Sequence, residues 1–409
     1  MNNKILTYLL SPVNNFRLLY LMVFACGMAW LPFFSFYLKE NEMTGAQIGY
    51  ISSLVWIVQL LFQPLWGVIA DRYGRILCFR FAVVTSTIAL LCFAFFATSL
   101  LSIVICTLVY SFCSIAIIPL LDTLVLEYVD TTSKLSYSHL RFWGAVGAAG
   151  GAQLSGLMIS PDHAYYIFIA AAMPMFLSIP LVFRLKAGIN REGSIKMEFK
   201  DLRSVLSNKF LIIFLSVIFI TGIGQTSIWF YLTVYIHDLG GSEQLSATAQ
   251  GVQGLSELPF YFITALLFRR IGLRNTLLIA FFGTVIRLYL YAVNFTPMNV
   301  LFIEASNGIS WTLMWVASVE YVNRMVKPQW RATGQSLLWA VYFGAGQITG
   351  NILTGHLYEK MSMNKVFAVN GVIALVAMAI AALTFFIWRD NTSNNYQHKA
   401  VESSTNMNK

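Results

Sequence analysis

Long stretches without a charged residue recur along this chain, and they restrict its fold more than any other feature. Residues 43–70 contain no Asp, Glu, Lys or Arg, and residues 81–121 contain none over a longer run. A helix needs about 20 apolar residues to cross a bilayer. Twelve stretches meet that length, approximately 17–38, 46–70, 76–97, 100–128, 139–160, 164–184, 210–236, 246–269, 274–294, 299–322, 333–358 and 364–388. The sequence therefore predicts an all-α membrane protein with twelve transmembrane helices.

The composition supports a bilayer environment. Only 11% of the 409 residues are charged and 57% are hydrophobic, whereas soluble domains carry about 25% charged residues. In a membrane protein, the net charge of +9 reports topology rather than binding to nucleic acid. The five cysteines show no paired spacing, so we expect no disulfide framework, no metal site and no cofactor.

Basic residues concentrate on one side of the predicted helices. With the N-terminus placed in the cytoplasm, the loops on that side collect 22 of the 27 Lys and Arg residues, and two more lie within spans. Only Lys39, Lys360 and Lys365 fall outside. This bias predicts that both termini are cytoplasmic and that the chain is a multi-pass protein of the cell inner (plasma) membrane, in contact with the lipid bilayer.

The spans divide into two predicted halves separated by a polar connection. The predicted units are an N-terminal six-helix bundle at 1–183, a cytoplasmic linker loop at 184–209, a C-terminal six-helix bundle at 210–388 and a disordered cytoplasmic tail at 389–409. An internal repeat supports the division, because FRRIGLR follows span eight as ADRYGR follows span two. Aligning Gly272 with Gly74 places Arg270 on Arg72, and internal repeats are common in transporters.

Charge returns abruptly after span two, in the sequence Gly67-x-x-x-Asp71-Arg72-x-Gly74-Arg75. This motif resembles the loop signature of the major facilitator superfamily, and with twelve spans and a central loop the resemblance covers nearly the whole chain. The two glycines allow close helix approach and a tight turn. We expect the five residues to latch the cytoplasmic ends of the two halves together. Positive-inside charge alone is the simpler interpretation, but it does not account for the acid.

Five ionisable residues lie deep within predicted spans, where such groups are costly and usually functional. Their arrangement resembles the sugar–proton symporter branch of the superfamily, for which lactose permease is the model. The resemblance implies that Asp122 is the acid of span four and that Arg141 on span five pairs with it. It also implies that Glu257 on span eight and Arg287 on span nine belong to the site, beside Glu304 on span ten.

The chain departs from lactose permease at several of these positions. Ala148 replaces the tryptophan on which that protein stacks sugar, and its lysine, histidine and glutamate on span ten correspond to Glu304, Asn307 and Ser310. Its acids on span seven have no counterpart near Gln225. These departures argue against lactose as the substrate and imply a different proton route.

The intramembrane charges do not balance. Three acids, Asp122, Glu257 and Glu304, face two arginines, Arg141 and Arg287, so the sum is −1. An organic anion would require surplus positive charge, whereas a spare acid in a desolvated site favours taking up a proton. Arg287 is expected to pair with Glu257 or Glu304, and the acid left over carries the proton. The sequence does not distinguish these two acids.

Aromatic and polar residues share faces of the predicted helices. Glu304, Asn307, Trp311 and Trp315 are spaced at i, i+3, i+7 and i+11 on span ten, and Trp339 lies on span eleven. Such faces suit a polyhydroxylated or ring-bearing ligand, although helix packing explains tryptophans as well. The predicted substrate-binding residues are Asp122, Arg141, Glu257, Asn307, Trp311 and Trp339, and the predicted proton-coupling residues are Glu257, Arg287 and Glu304.

These features predict a proton-coupled symporter that takes up an oligosaccharide, a nucleoside or a similar solute by alternating access. A proton-driven exporter on the same fold remains an alternative, as does a sensor that binds without transport. An enzyme is not expected, because the sequence has no Ser-His-Asp set, metal cluster or phosphate-binding glycine loop. The expected partners are a small molecule and protons, with no nucleic acid, and the protein is expected to be a monomer.

Overall fold

Twelve transmembrane helices, labelled α1 to α12, make up the parts of the chain that the computed structural model describes, residues 11–131, 137–185, 208–327 and 330–387. Their bounds are α1 Pro12–Glu40, α2 Gly45–Tyr73, α3 Arg75–Phe96, α4 Leu100–Ser114 with Ile117–Thr131, α5 Tyr137–Met158, α6 Tyr166–Phe183, α7 Lys209–Phe230 with Leu232–Asp238, α8 Glu243–Arg270, α9 Leu273–Val293, α10 Val300–Glu304 with Gly308–Thr312 and Leu313–Met325, α11 Arg331–Trp339 with Ala340–Gly346 and Gln347–Lys360, and α12 Met363–Ile387. Each predicted span corresponds to one of these helices, so the predicted fold class is confirmed.

Hydropathy alone identifies fewer helices than the fold contains. Within the described ranges, nine helices are long and apolar enough to cross a membrane, and α10 qualifies as two segments bent by 42°. The remaining two, α5 and α11, fall short because they are rich in glycine and polar residues. Such residues favour close packing inside a bundle over contact with lipid.

The internal repeat appears in the backbone. Gly74 between α2 and α3 has φ +95°, and Gly272 between α8 and α9 has φ +82°. A residue with a side chain rarely adopts this conformation. The same left-handed turn therefore ends the second helix of each half, as expected for two pseudo-symmetric six-helix bundles.

Local capping fixes where some of the helices begin. At α2, the Thr44 hydroxyl accepts a hydrogen bond from the amide of Gln47, whose side chain accepts one from the amide of Thr44. Ser99 and Ser102 form the equivalent box at α4. These reciprocal bonds satisfy amide groups that the first turn of a helix leaves without partners.

The two bundles meet closely at one face of the molecule. We call the face at which α1 begins and α12 ends the terminal face, and the other the opposite face. Near the opposite face α2 packs on α11 so tightly that a Cβ on Gly49 would lie 2.5 Å from the carbonyl oxygen of Asn351. An ion pair of 2.5 Å between Lys39 and Asp238 also joins the bundles there. Close packing and charge pairing thus hold this face closed.

A second seam between the bundles runs along α5 and α8. A Cβ on Gly156 would collide with that of Ala247, and Gln244 donates a 2.8 Å hydrogen bond to Gln153. These contacts again lie toward the opposite face. α2 packs mainly on the last segment of α11, Gln347–Lys360, near the opposite face, rather than on the first segment, Arg331–Trp339, near the terminal face. The structure is therefore closed at the opposite face and spread apart at the terminal face.

Some sequence predictions lie outside the described residues. The linker predicted at 184–209 falls almost entirely within 186–207, and the tail predicted at 389–409 follows the last described residue. The domain boundaries stay predictions.

Candidate functional site

The helix α10 is broken at the centre of the molecule. Its first segment ends at Glu304, its axis bends, and a π-helical segment, Gly308–Thr312, follows Asn307. A second π segment, Ala340–Gly346, interrupts α11. Short π segments often mark functional sites, and transporters commonly place discontinuous helices at their binding sites. The break in α10 lies among buried polar side chains, Glu304, Asn307 and Ser310.

An ion pair between Arg287 and Glu304 is buried inside the C-terminal bundle. Arg287 of α9 is 2% exposed, and Glu304 of α10 is fully buried. One guanidinium nitrogen of Arg287 donates to one carboxylate oxygen of Glu304, and the hydroxyl of Tyr291 donates to the other. Both oxygens of Glu304 are thus satisfied by fixed donors. Because a buried charge is costly without such partners, the pair is a structural unit.

Asn307 connects this pair to the second acid of the bundle. Its side-chain oxygen accepts a 2.5 Å hydrogen bond from Arg287, and its side-chain nitrogen donates a 2.8 Å bond to Glu257 of α8. Ser310 accepts another bond from Arg287 at 3.2 Å. The broken segment of α10 thus supplies three ligands to one guanidinium group.

Glu257 differs from Glu304 in its partners. It accepts hydrogen bonds from Asn307 and, at 3.3 Å, from the hydroxyl of Tyr261. Both donors are neutral, and among the described residues Glu257 makes no ion pair within 4.0 Å. The carboxylate is partly accessible, unlike that of Glu304. The geometry therefore distinguishes the two acids that the sequence left open.

The N-terminal bundle contributes Asp122 and Arg141. The hydroxyl of Tyr20 donates a 2.6 Å hydrogen bond to Asp122. The Arg141 nitrogen Nε lies 3.9 Å from the same carboxylate oxygen, so the two residues form a loose ion pair. The guanidinium of Arg141 sits 4.0 Å from the ring centroid of Phe24, which stabilises it by a cation–π interaction. With side chains 28% and 35% exposed, the acid and the arginine remain partly accessible.

The structure places the predicted site residues in two polar clusters, one in each bundle. Asp122 and Arg141 form the first cluster. Arg287, Glu304, Asn307 and Glu257 form the second cluster. Tyr261, which is 54% exposed, bonds Glu257 at the edge of the second cluster.

Three tyrosines in this site were missed by the sequence reasoning. Tyr261 follows Glu257 by four residues, and Tyr291 follows Arg287 by four, so each lies one turn further along the same helix face. That spacing could have identified them. Tyr20 comes from α1, and nothing in its local sequence indicates a contact with Asp122.

Aromatic rings form a wall beside the polar cluster. Trp311 stacks on Trp315 at 5.4 Å between ring centroids, and Trp339 stacks on Phe343 at 4.3 Å. Trp315 and Trp339 meet edge to face at 5.3 Å. Trp56 of the other bundle stacks on Phe343 at 5.5 Å. Trp339 is 47% exposed and presents an accessible ring, whereas Trp311 is held among its neighbours.

A chain of hydrogen bonds links the wall to the ion pair. The hydroxyl of Tyr342 donates a 2.5 Å bond to Gln225, which donates a 3.0 Å bond to Thr284. Thr284 donates to the backbone oxygen of Ser310, a ligand of Arg287. The aromatic wall and the charged cluster are thus held in fixed register.

The predicted latch residues lie at the terminal face of the N-terminal bundle. Arg75 pairs with Glu127 of α4 and lies 3.5 Å from Asp71. Arg72 and Gly67 are exposed on α2, and Gly74 makes the turn described above. The ion pairs found for these residues are within one bundle. In this open arrangement of the terminal face, a latch between the bundles stays a prediction.

No group of three His, Cys, Asp or Glu side chains that could hold a metal ion occurs among the described residues. The five free cysteines lie on α1, α3 and α4.

Comparison with known proteins identifies related chains over nearly the full length. A sequence model of the MFS_1 like family matches residues 14–369. An uncharacterized transporter, YwbF of Bacillus subtilis (strain 168), is 26% identical over 390 residues, which cover 93% of this chain and 94% of that protein. The maltose permease of Geobacillus stearothermophilus is 27% identical over 375 residues, 90% of this chain and 93% of the permease.

Solved structures show the same fold. The crystal structure of the nucleoside transporter NupG aligns with a TM-score of 0.79 at 18% identity. The alignment covers 91% of this chain and 98% of the NupG chain.

Proposed function

Because the chain belongs to the MFS_1 like family and is a multi-pass membrane transporter rather than an enzyme, we propose that it is a proton-coupled symporter. It takes up a small polyhydroxylated or ring-bearing solute, such as an oligosaccharide or a nucleoside. The proposal rests on one observation: Glu257 is a partly accessible acid whose hydrogen-bond donors are both neutral.

The partners of the two acids support the assignment of the proton to Glu257. Glu304 balances Arg287 within the bundle, so protonating it would leave a buried cation unpaired. Protonating Glu257 instead removes a charge that no cation pairs with directly. The net charge of −1 over the five intramembrane groups agrees with one acid that alternates between two states.

The proposed substrate class rests on the aromatic wall beside the polar cluster. Trp339 offers an exposed ring for stacking, while Asp122, Arg141 and Glu257 offer hydrogen-bonding groups within the same interface. A sugar or nucleoside uses both kinds of contact. The related proteins named maltose permease and nucleoside transporter agree with this class.

The proposed mechanism is alternating access. With the basic terminal face in the cytoplasm, as the positive-inside bias indicates, the structure corresponds to a state that is open inward. In the outward-open state, a proton neutralises Glu257 and the solute binds between the bundles near Asp122 and Arg141. Closure of the α2–α11 contact then returns the protein to the observed arrangement, from which both ligands leave.

The test is transport by purified protein in liposomes loaded at a defined internal pH. An inward proton gradient is expected to drive accumulation of a radiolabelled solute chosen by a binding screen of oligosaccharides, nucleosides and neutral aromatic metabolites. A proton gradient that instead empties preloaded vesicles would favour the exporter. Accumulation that depends on a Na⁺ gradient alone would mean that Na⁺ rather than H⁺ is the coupling ion. Binding without movement in any gradient would favour a sensor.

We also propose that the chain is a monomer of the plasma membrane with both termini in the cytoplasm. The basic loops on the terminal face support this orientation. Membrane-impermeant labelling of single cysteines introduced at the two faces of intact cells tests it. Labelling of the terminal face from outside would reverse the orientation.

A further inference from the structure

A crevice opens at the terminal face of the C-terminal bundle, well away from the charged cluster. Its volume is about 850 Å³, and it lies between the start of α9, the end of α10 and the end of α12. None of the transport residues described above lines it. The crevice therefore calls for an explanation of its own.

One side of the crevice is polar and favours an anion. It includes Gly272, Leu273 and Arg274 at the N-terminus of α9, where no side chain caps the helix. The first amide groups of a helix and its dipole favour negative charge at this position. Arg274 adds positive charge to the same side, and Arg324, which pairs with Glu320 at 2.7 Å, lies at the end of α10.

Tyr321 supplies a second and independent indication of a ligand. The side chain lines the crevice and is 2% exposed, yet its hydroxyl is buried without a hydrogen-bond partner among the described residues. Its ring is held by Phe214 at 4.3 Å and by Phe385 at 5.5 Å between centroids, so the hydroxyl has a fixed position. Arg274 lines the same crevice. A buried hydroxyl without a partner is costly unless a ligand completes it.

The other side of the crevice is apolar and open toward the membrane. It is lined by Leu278, Leu383 and Phe386, of which the last two are 61% and 75% exposed. A free phosphate or nucleotide would leave this apolar surface uncovered. A lipid places its headgroup at the level of the helix ends and its chains against the apolar surface below, and basic pockets at the cytoplasmic ends of helices bind such headgroups.

We propose that this crevice binds an anionic phospholipid of the bilayer leaflet at the terminal face. The phosphate accepts hydrogen bonds from the Tyr321 hydroxyl, from Arg274 and from the first amides of α9. One acyl chain packs along Leu278, Leu383 and Phe386. The site is independent of the transport residues. The proposal therefore does not depend on which solute the protein carries.

The experiment titrates phosphatidylglycerol or phosphatidylcholine into the full-length protein in a neutral detergent. The thermal unfolding midpoint is measured at each lipid concentration, and the number of bound lipid molecules is measured by native mass spectrometry. Phosphatidylglycerol is expected to raise the midpoint and to bind one molecule in preference to phosphatidylcholine. Tyr321→Phe keeps the ring and removes the hydroxyl, and it is expected to weaken this binding about tenfold, as loss of a hydrogen bond to a charged group does.

Arg274→Gln is expected to weaken binding to a similar extent. Arg331→Gln, a matched change at an exposed arginine of the same face that does not line the crevice, is expected to leave it unchanged. An equal loss of phosphatidylglycerol binding in all three variants would mean that the lipid is attracted to a basic surface in general and has no specific site in the crevice. Equal stabilisation by glycerol phosphate would assign the site to a soluble phosphate, and no preference for phosphatidylglycerol in the wild type would overturn the proposal.

Discussion

The side-chain nitrogen of Asn307 donates a 2.8 Å hydrogen bond to Glu257, while the oxygen of the same amide accepts a bond from Arg287. Arg287 is itself neutralised by Glu304. The Asn307 amide therefore connects Glu257, whose donors are neutral, to Arg287, which is paired with Glu304. One carboxylate is held by a cation, and the other is held by neutral donors.

The first prediction concerns Glu257→Gln. Glutamine keeps the size and hydrogen-bonding reach of the side chain but cannot gain or lose a proton. We expect accumulation driven by a proton gradient to fall to background, while exchange of labelled for unlabelled solute across the membrane continues. Both are measured in liposomes with the same protein preparation.

Glu320→Gln is the matched control for that change. Glu320 pairs with the exposed Arg324 one helical turn away near the terminal face, so the same substitution there removes a surface charge only. Its accumulation is expected to match the wild type. Full accumulation by Glu257→Gln would remove the proposed proton carrier.

The second prediction concerns the stability of the buried pair. Glu304→Gln leaves the charge of Arg287 uncompensated in the bundle interior, which costs about 3–5 kcal/mol in comparable buried pairs. We expect a lower thermal unfolding midpoint in detergent and loss of transport. Replacing both residues, as Arg287→Met with Glu304→Leu, is expected to recover much of the midpoint but none of the transport.

The single variant Glu304→Gln also supplies the opposing outcome. If Glu304→Gln unfolds at the wild-type temperature and still accumulates solute, the pair is not structural, and Glu304 rather than Glu257 becomes the candidate proton carrier. A double-mutant cycle over the two positions measures the coupling energy directly.

Most of the helices could be predicted from hydropathy alone because membrane crossing sets a length that a sufficiently apolar run reveals, although α5 and α11 are less apolar than the others. The partners of Glu304 could not be predicted with the same certainty. They depend on the bend after Glu304 and on the π segment that follows Asn307, and a regular helical spacing does not contain either. The contact between Tyr20 and Asp122 joins α1 to α4, which only the packing of the bundle determines.

The third prediction concerns Trp339, the exposed ring of the aromatic wall. Trp339→Leu retains apolar volume but removes the surface on which a sugar or base stacks. Stacking on an aromatic ring contributes about 1 kcal/mol, so we expect the KM for the transported solute to rise about fivefold with little change in the maximal rate. Trp66→Leu, at a buried ring of the N-terminal bundle, serves as the comparison, and a KM change of equal size there would assign the effect to packing.

The fourth prediction concerns closure of the opposite face. A Cβ on Gly49 would lie 2.5 Å from the backbone oxygen of Asn351 and 3.2 Å from the Cα of Gly355. Gly49→Ala therefore cannot be accommodated without separating α2 from α11. We expect the equilibrium to shift toward opening at that face and the transport rate to fall. Crosslinking between cysteines at Lys39 and Asp238, which pair across this face, measures the shift.

Gly27→Ala provides the control for that substitution. A Cβ at Gly27 has nothing within 4 Å, and both changes raise helix propensity by about 1 kcal/mol. The crosslinking yield of Gly27→Ala is expected to equal that of the parent pair, while Gly49→Ala reduces it. A normal yield in both would mean that the close approach of α2 and α11 is not required for closure.

The fifth prediction concerns Asp71 in the motif after α2. In this structure its side chain is 48% exposed and lies 3.5 Å from Arg75, so it contributes little to stability, about 0–1 kcal/mol for such a surface pair. If the acid acts as a latch when the terminal face closes, its contribution belongs to the other conformation. Asp71→Asn is then expected to leave the unfolding midpoint unchanged and to lower the transport rate by about tenfold.

The control for Asp71→Asn is the same substitution at Asp162, an exposed acid in the turn between α5 and α6 at the opposite face. It should preserve both the midpoint and the rate. Retention of transport by Asp71→Glu would show that the negative charge matters rather than the shape of the side chain. Wild-type transport by Asp71→Asn would instead mean that the motif only orients the chain in the membrane, because arginines alone suffice for that role.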